Sequence, residues 1–174
     1  MTISSTRNSH PLSVVRGAIA SAVRRDPTAA AAVVRAHGAS TGLVSTTIDV
    51  GRHTVHTDEP ANLGGKNTAP NPVQYALVAL VSCQILSFRF WAAQLGVDVH
   101  DLDVHAEARL DARGFFGLDE QTRPGFGHVA IVVQVSGPET PERYAEVQAA
   151  VDAHCPVIDV FTNPTAVQTS ITVV

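Results

Sequence analysis

Hydrophobic positions along this chain repeat with two different periods, and each period predicts a different element. Over Val44–Val50 and His128–Ser136, apolar and polar residues alternate, which is the two-residue period of a half-buried β-strand. A tight turn at Gly51-Arg52 predicts that His53–Thr57 is a strand that returns beside the first. The first half of the chain is therefore predicted to hold a β-hairpin.

Three further segments carry strand patterns. Val33–Ser40 predicts an earlier strand. Val97–Leu110 alternates over a longer stretch, but its apolar positions change parity near His100-Asp101, which predicts a turn or a β-bulge at that point. After a turn signal at Asn163-Pro164, the segment Ala166–Val174 predicts a last strand.

The long apolar segment in the middle of the chain predicts a buried helix. Asn71 is a suitable N-cap and Pro72 a suitable first helical residue, and the helix is predicted to run to about Leu95, where Gly96 ends it. Its apolar run Val73–Phe88 has 16 residues, fewer than the roughly 20 that a membrane span needs. Because the helix is apolar on nearly all sides, we expect protein to surround it, with a second subunit supplying part of the cover.

Two shorter helices are also predicted. Thr140-Pro141 supplies an N-cap and a first residue for the second main helix, which ends at Cys155-Pro156. One stripe of that helix holds Tyr144, Val147, Val151 and His154. Near the beginning of the chain, Ser13 is predicted to cap a short helix that Asp26-Pro27 ends.

The order of elements predicts the fold class. Strands joined mostly by turns and short loops, with helices between them, indicate an α+β fold with antiparallel sheet and not a doubly wound nucleotide-binding fold. Residues 1–35 are predicted to form an N-terminal extension with a short helix, and residues 36–174 to form one domain. No glycine-rich loop of the phosphate-binding type occurs, so we expect no nucleotide cofactor.

Composition and charge narrow the partners and the location. The 174 residues are 45% hydrophobic and 16% charged, with a net charge of −4 and no long run of Lys or Arg, so we expect neither a nucleic-acid nor a membrane partner. Arg24-Arg25 is followed by Asp26 and not by an apolar export segment. We therefore expect a cytoplasmic protein.

Two cysteines carry the candidate chemistry: Cys83 in the middle of the long helix and Cys155 at the end of the second. Composition alone favours two unrelated buried thiols, because free cysteine commonly packs as a small apolar residue. The alternative is a redox pair, in which a thiolate attacks a peroxide, the second cysteine condenses with the sulfenic acid, and an external dithiol reduces the resulting disulfide. A buried thiol needs a nearby cation to ionise, which the sequence does not locate.

Four segments in a fixed order carry a resemblance to a known family. They are Thr57-Asp58-Glu59-Pro60 with Leu63-Gly64-Gly65 and Pro70-Asn71-Pro72; the helix Ala76–Cys83 with Trp91-Ala92-Ala93 and Gly96; Arg113-Gly114-Phe115 with Gly117-Leu118 and Pro124-Gly125-Phe126; and Cys155-Pro156-Val157 with Thr162-Asn163-Pro164. With these segments, roughly residues 44–174 resemble the osmotically inducible protein C and organic hydroperoxide resistance family, OsmC/Ohr.

The resemblance implies an intertwined homodimer in which curved antiparallel sheets surround two central helices, with a site at the subunit interface. It also implies a thiol-dependent peroxidase for small apolar hydroperoxides in oxidative-stress defence, which needs no cofactor or metal. In that family Cys83 matches the attacking cysteine and Cys155 the resolving cysteine. The alternative is a catalytically weak protein on the same scaffold that binds a small apolar ligand at the dimer interface.

This chain departs from the family pattern at two positions that serve the attacking thiol. Val73 stands where active members carry a glutamate, which helps to hold an arginine over the sulfur. The arginine itself comes from an early strand near Leu43-Val44, where this chain has no basic residue. Arg35 and Arg52 are the candidates to replace it.

Other clusters of functional residue types have simpler interpretations. His53 and His56 are three apart on a predicted strand and point to opposite faces, so we do not expect them to share a metal ion. Asp58 and Glu59 are interpreted as structural or as partners for Arg52. His154 is predicted to meet its helix C-terminus, with tuning of Cys155 as the alternative.

Three phenylalanines lie in the glycine-rich connection before the strand His128–Ser136. Phe115, Phe116 and Phe126 are predicted to pack locally at the end of a hairpin. The alternative is that they form a wall of an apolar pocket, reached from the partner subunit.

Overall fold

The computed structural model describes residues 11–174, which divide into one compact unit that ends at Val78 and a second that begins at Ala79. In chain order, the main elements are helix α1 Pro11–Arg25, strands β1 Ala36–Ser40, β2 Thr46–Val50 and β3 His53–Thr57, helix α2 Pro72–Leu95, strand β4 Leu102–Leu110, helix α3 Ala112–Phe115, strand β5 Phe126–Val135, and helices α4 Pro141–His154 and α5 Pro156–Thr162. Both sheets are antiparallel, which confirms the predicted α+β class.

The first unit is built on a three-stranded sheet in the order β1-β2-β3. Val50 lies opposite His53, so β2 and β3 form the predicted hairpin, and Gly51 has a φ of +62°, which a residue without Cβ adopts easily. The predicted β1 and β2 are present but shorter, because β1 begins at Ala36 and β2 at Thr46. Their predicted first residues, Val33 and Val44, precede the paired region.

Helix α1 differs from its prediction at its first turn. Ser13 was expected to be the N-cap but lies inside the helix, which runs from Pro11 to Arg25. Proline at the first position suits a helix, because its fixed φ is already helical and its missing N–H has no partner there. Residues 1–10 of the predicted N-terminal extension lie outside the described residues.

Asp58 organises the loop between β3 and α2. Its side chain is 4% exposed and accepts hydrogen bonds from the backbone N–H of Glu59, Lys66 and Thr68 and from the Thr68 hydroxyl. The Glu59 carboxylate accepts from Asn71 Nδ2 at 3.3 Å. The structural interpretation of these two acids is therefore confirmed.

Helix α2 begins and ends as predicted. Asn71 Oδ1 accepts from the backbone N–H of Gln74 at 2.8 Å, and Gln74 Oε1 accepts from the N–H of Asn71 at 2.9 Å, which is a reciprocal capping box. Gly96 follows Leu95 with a φ of +65°. The helix is long and apolar enough to cross a membrane by length and composition, a test that core helices of globular proteins also pass.

One side of α2 is left uncovered within a single chain. Phe88 and Leu80 are each 2% exposed, whereas Val78 is 54% and Leu86 61% exposed. The prediction that protein surrounds the helix is therefore met on part of its circumference.

The second unit holds a two-stranded sheet of β4 and β5. The turn or bulge predicted near His100-Asp101 is present as a bend at His100, where Ser136 accepts from the His100 N–H and donates to the Asp101 carbonyl. A second irregularity, which was not predicted, lies between Arg109 and Leu110. Strand β4 begins only at Leu102, because the Arg89 guanidinium binds the carbonyls of Val99 and His100 at 2.7 and 3.1 Å and fixes this segment against α2. Residues 97–101 are thus an irregular segment that precedes the strand, in keeping with the predicted turn or bulge.

The carboxyl-terminal third of the unit is more helical than predicted. Thr140 caps α4 and Pro141 is its first residue, as expected. Helix α5 was not predicted, although Pro156 occupies its first turn in the same way. The predicted last strand, Ala166–Val174, is wrong for the single chain: the segment has no strand partner and its residues are exposed.

The core of the second unit lies between α2 and α4. Its buried members are Phe88, Ala92, Val97, Val147, Val151 and Cys155. Val147 and Val151 are completely buried and are separated by one helical turn, so they present one face of α4 to α2. This packing sets the distance between α2, which carries Cys83, and the C-terminal end of α4, which Cys155 follows.

Candidate functional site

The two cysteines meet beside this core. Cys83 lies on α2 and Cys155 directly follows α4, and their Sγ atoms are 3.3 Å apart although 72 positions separate them in the chain. Both are free thiols. Disulfide formation requires an S–S distance of about 2.05 Å, so a small approach of the sulfurs would suffice. The sequence left open whether the two sulfurs could reach each other, and the structure brings them together.

The turn between α4 and α5 places Cys155 against backbone donors. Cys155 is both the C-cap of α4 and the N-cap of α5, and Pro156 is the first residue of α5. The backbone N–H groups of Val157 and Ile158 therefore approach its sulfur, and each favours the ionised thiol. Proline at the first helical position fixes this turn, because its φ is already helical.

The two thiols are shifted in opposite directions. Burial raises the pKa of Cys83, and the hydrogen bond with Cys155 raises it further. Together these two effects exceed the lowering of the pKa by the N–H of Val157. Burial also acts to raise the pKa of Cys155, but the hydrogen bonds from Ile158, Cys83, Val157 and Ser87 outweigh it, so the pKa of Cys155 lies below its ordinary value. These opposite directions favour Cys155 as the sulfur that ionises first.

Polar side chains continue from the thiols along the α2–α4 contact. Ser87 Oγ lies 3.9 Å from Cys83 Sγ, and Gln84 Oε1 accepts from Gln148 Nε2 at 3.4 Å. Gln148 Nε2 also donates to Asp152 Oδ1 at 2.8 Å. Gln84 Nε2 and Gln148 Oε1 are buried without a partner, so this polar contact is only half satisfied.

His154 stacks on Trp91 next to Cys155. The ring centroids are 4.7 Å apart and the planes differ by 24°. A groove of about 340 Å³ opens beside it at the corner of α4 and α5, and its polar lining includes Asp152, His154, Asp159 and Asn163. His154 lies in the last turn of α4, as predicted, and its ring is held in place by the indole.

Comparison with known proteins identifies the family. The model of the family described as OsmC-like protein matches residues 65–170, which is more than half of the chain and contains both cysteines. This chain belongs to the OsmC-like family. The resemblance stated from the sequence is therefore confirmed.

Solved structures share the fold at low sequence identity. An organic hydroperoxide resistance protein OsmC from Legionella pneumophila is 22% identical, with a TM-score of 0.59 over 76% of this chain and 91% of that one. An OsmC like protein from Mycoplasma pneumoniae is 13% identical, with a TM-score of 0.64 over 75% and 87%. An organic hydroperoxide resistance protein from Elizabethkingia anophelis, with bound thiocyanate, is 17% identical, with a TM-score of 0.57 over 76% and 89%. A comparison with curated proteins returns no match.

Val73 and the two candidate arginines, Arg35 and Arg52, lie in the first unit of this OsmC-like chain. Val73 is in the first turn of α2 and is 37% exposed. Arg35 precedes β1 and Arg52 lies in the β2–β3 turn, and both are exposed. The groups that shift the pKa of the two thiols include no cation.

The remaining candidates make local contacts. Phe115 and Phe116 contact each other at 5.1 Å and are 72% and 52% exposed, whereas Phe126 stacks on Phe161 at 6.1 Å. His56 Nδ1 lies 3.0 Å from the Thr47 hydroxyl on the neighbouring strand. Within residues 11–174, no group of three or more His, Cys, Asp or Glu side chains is arranged to hold a metal ion.

Sequence reasoning missed the neutral donors around the thiols. Ser87 is one helical turn after Cys83, and a buried serine in an apolar helix was the available signal. The backbone donors Val157 and Ile158 depend on α5, which Pro156 could have indicated.

Proposed function

We propose that this OsmC-like chain is a thiol-dependent peroxidase that reduces organic hydroperoxides in oxidative-stress defence, with Cys83 attacking and Cys155 resolving. The observation that carries the proposal is the 3.3 Å separation of the two sulfurs at the α2–α4 contact. Two unrelated buried thiols need not lie in contact, whereas the two sulfurs of a peroxidase pair must come within bonding distance. The names of the Legionella and Elizabethkingia relatives, organic hydroperoxide resistance proteins, support the substrate class.

The first step uses both sulfurs. Cys83 is half-buried and Cys155 is 2% exposed, so the peroxide meets Cys83 first. The Cys83 sulfur attacks the terminal oxygen of R–O–O–H, forming an S–O bond and breaking the O–O bond. Its proton passes to the Cys155 thiolate 3.3 Å away, which returns it to the departing alkoxide. The products are the sulfenic acid of Cys83 and the alcohol.

The second step closes the disulfide. The Cys155 thiolate attacks the sulfur of the Cys83 sulfenic acid, an S–S bond forms, and hydroxide leaves and takes a proton from solvent. The N–H groups of Val157 and Ile158 keep Cys155 ionised for this attack. An external dithiol then reduces the disulfide by two exchanges and is itself oxidised to a disulfide. The chemistry needs no metal or cofactor.

A homodimer is part of the proposal. Within one chain Val78 and Leu86 of α2 remain exposed to more than half, and large apolar side chains in this position favour a protein partner. A second copy that covers α2 would create an apolar, water-poor entrance to Cys83, which suits a small apolar hydroperoxide. The net charge of −4 favours neither a nucleic-acid nor a membrane partner, and two reduced thiols suit a cytoplasmic location.

One observation favours a second candidate function, a binding protein for a small apolar ligand at the same dimer interface. Burial raises the pKa of Cys83, the groups that shift it include no cation, and Val73 replaces the family glutamate. A neutral Cys83 would react slowly with peroxide. The proximity of Cys155 is the feature that this alternative does not explain.

The deciding experiment is intact mass with thiol counting after reduced protein receives about one equivalent of cumene hydroperoxide. The peroxidase predicts the loss of two hydrogens and of both thiols, and the loss should disappear in Cys83→Ser and in Cys155→Ser. Ser40→Ala, an exposed serine on β1, is the control and should behave as wild type. Two thiols that persist over minutes would contradict the peroxidase and favour the binding protein.

A further inference from the structure

Ser87 is a buried hydroxyl on α2 that faces the cysteine pair. It is 9% exposed, and its Oγ lies 3.9 Å from Cys83 Sγ, four residues earlier on the same helix face. The same hydroxyl is also among the groups that lower the pKa of Cys155, whose sulfur lies 3.3 Å from that of Cys83. In contrast, Ser82 beside Cys83 is exposed. Ser87 is therefore the serine that the fold directs toward the thiols.

The position of Ser87 allows one hydroxyl to serve two sulfurs. Because the sulfurs are only 3.3 Å apart, a hydroxyl that reaches one of them can turn its hydrogen to the other without moving the backbone. A serine hydroxyl has a single hydrogen to donate, so it must choose between them. It will donate to the sulfur that carries the negative charge, since hydrogen bonds to ionised acceptors are about twice as strong as neutral ones.

The other groups around the two thiols make the Ser87 hydroxyl important. Apart from the Cys83 thiol, which lowers the pKa of Cys155, the groups that favour ionisation of either thiol are neutral: the N–H groups of Val157 and Ile158 and the Ser87 hydroxyl. The Val157 N–H acts on both sulfurs and the Ile158 N–H on Cys155, and both groups are fixed in the backbone of α5. The Ser87 side chain is the member of this set that can rotate.

We propose that Ser87 is a positioning residue for the whole redox cycle, whose hydroxyl donates to whichever of Cys83 and Cys155 is ionised. The inference rests on the proposed peroxidase function. It gives Ser87 the part of a cation, which is to stabilise the ionised thiol. At rest the hydroxyl supports the Cys155 thiolate. When an exchange reaction leaves the charge on Cys83, the hydroxyl turns to that sulfur, so both half-reactions depend on it.

The test is a titration of the reduced protein in which ultraviolet absorbance of the thiolates is followed against pH, so no reagent needs access to the buried sulfur. In Ser87→Ala the first thiol ionisation should move to higher pH, and the thiolate fraction at neutral pH should fall about three- to tenfold, the effect of losing one ordinary hydrogen bond. Ser82→Ala should leave the titration unchanged. Ser87→Thr, which keeps the hydroxyl, should restore the wild-type curve.

The outcomes separate this inference from the proposed function, because the titration uses no peroxide. An unchanged titration in Ser87→Ala overturns the inference even if the protein reduces peroxide. A shift that Ser82→Ala shares, or that Ser87→Thr fails to restore, also overturns it, because the cause would then be helix packing. A shift confined to Ser87→Ala supports the inference whether or not cumene hydroperoxide oxidises the protein.

Discussion

Cys83 and Cys155 lie 3.3 Å apart but differ in access to solvent, because Cys83 is half-buried and Cys155 is 2% exposed. They also differ in how readily they ionise, since hydrogen bonds lower the pKa of Cys155 while burial raises that of Cys83. Access and ionisation therefore favour different sulfurs as the attacking group. If access decides, the first oxidised sulfur is that of Cys83.

Trapping the sulfenic acid tests which sulfur is oxidised first. We expect Cys155→Ser, treated with peroxide and dimedone, to carry the adduct on Cys83, because removal of the resolving thiol leaves the sulfenic acid without a partner. Cys83→Ser should give at least about tenfold less adduct, as its remaining thiol is buried. Peptide mass spectrometry measures both. A comparable or larger yield on Cys155 would reverse the assigned roles.

Phe88 should dominate the stability of the second unit. It is 2% exposed in the cluster that also holds Cys155, so Phe88→Ala removes a large buried side chain and leaves a cavity. We expect the free energy of unfolding to fall by about 3–5 kcal/mol, measured by urea denaturation. Phe115→Ala is the control, because Phe115 is 72% exposed and its loss should cost far less. Equal losses in the two variants would contradict the assignment of the core.

Several features of the fold follow from local sequence, because the interactions that create them span a few residues. The capping box of Asn71 and Gln74 and the stop at Gly96 define α2, and Gly51 fixes the β2–β3 turn. Thr140 and Pro141 start α4 in the same way. In each case the backbone conformation depends on one side chain or on its absence.

The features that sequence reasoning missed depend on distant groups. Nothing near Val97 shows that Arg89 will bind the Val99 carbonyl and delay β4. The family resemblance paired Cys83 with Cys155, but the distance between their sulfurs depends on how Val147 and Val151 pack in the core of the second unit. The neutral donors around the thiols depend on both the α2–α4 contact and the start of α5.

Asp58 should make the loop before α2 sensitive to acid. Its hydrogen bonds, first that from the Thr68 N–H, lower its pKa below the ordinary value of 3.8, so the ionised form stabilises the fold. This contribution is present above the ordinary value and is lost as the pH falls through the lower folded value. Asp58→Asn should therefore reduce the Tm at neutral pH, and the difference from wild type should shrink below about pH 4.

Thermal unfolding followed by circular dichroism across this pH range checks the prediction for Asp58. Asp103→Asn, an exposed acid on β4, is the control and should not reproduce the pattern. A deficit in Asp58→Asn that stays constant down to pH 3 would show that the carboxylate charge does not hold the loop.

The segment Ala166–Val174 should become a strand only in the dimer. It alternates β-branched residues, and Val167, Ile171 and Val173 are each at least 85% exposed. It has nine residues, as β4 has, and both β4 and β5 keep one unpaired edge within the chain. A two-stranded sheet is marginally stable alone, so a second copy that pairs with such an edge would stabilise it.

A matched pair of substitutions tests this role of the segment. Ile171→Asp places a charge on the apolar side of the strand, whereas Thr172→Asp places it on the opposite side. We expect Ile171→Asp to weaken the dimer at least about tenfold, measured by analytical ultracentrifugation, because a buried unpaired carboxylate costs more than 1.4 kcal/mol. Thr172→Asp should change it little. Equal dissociation constants for the two variants would mean that the segment does not pair in the dimer.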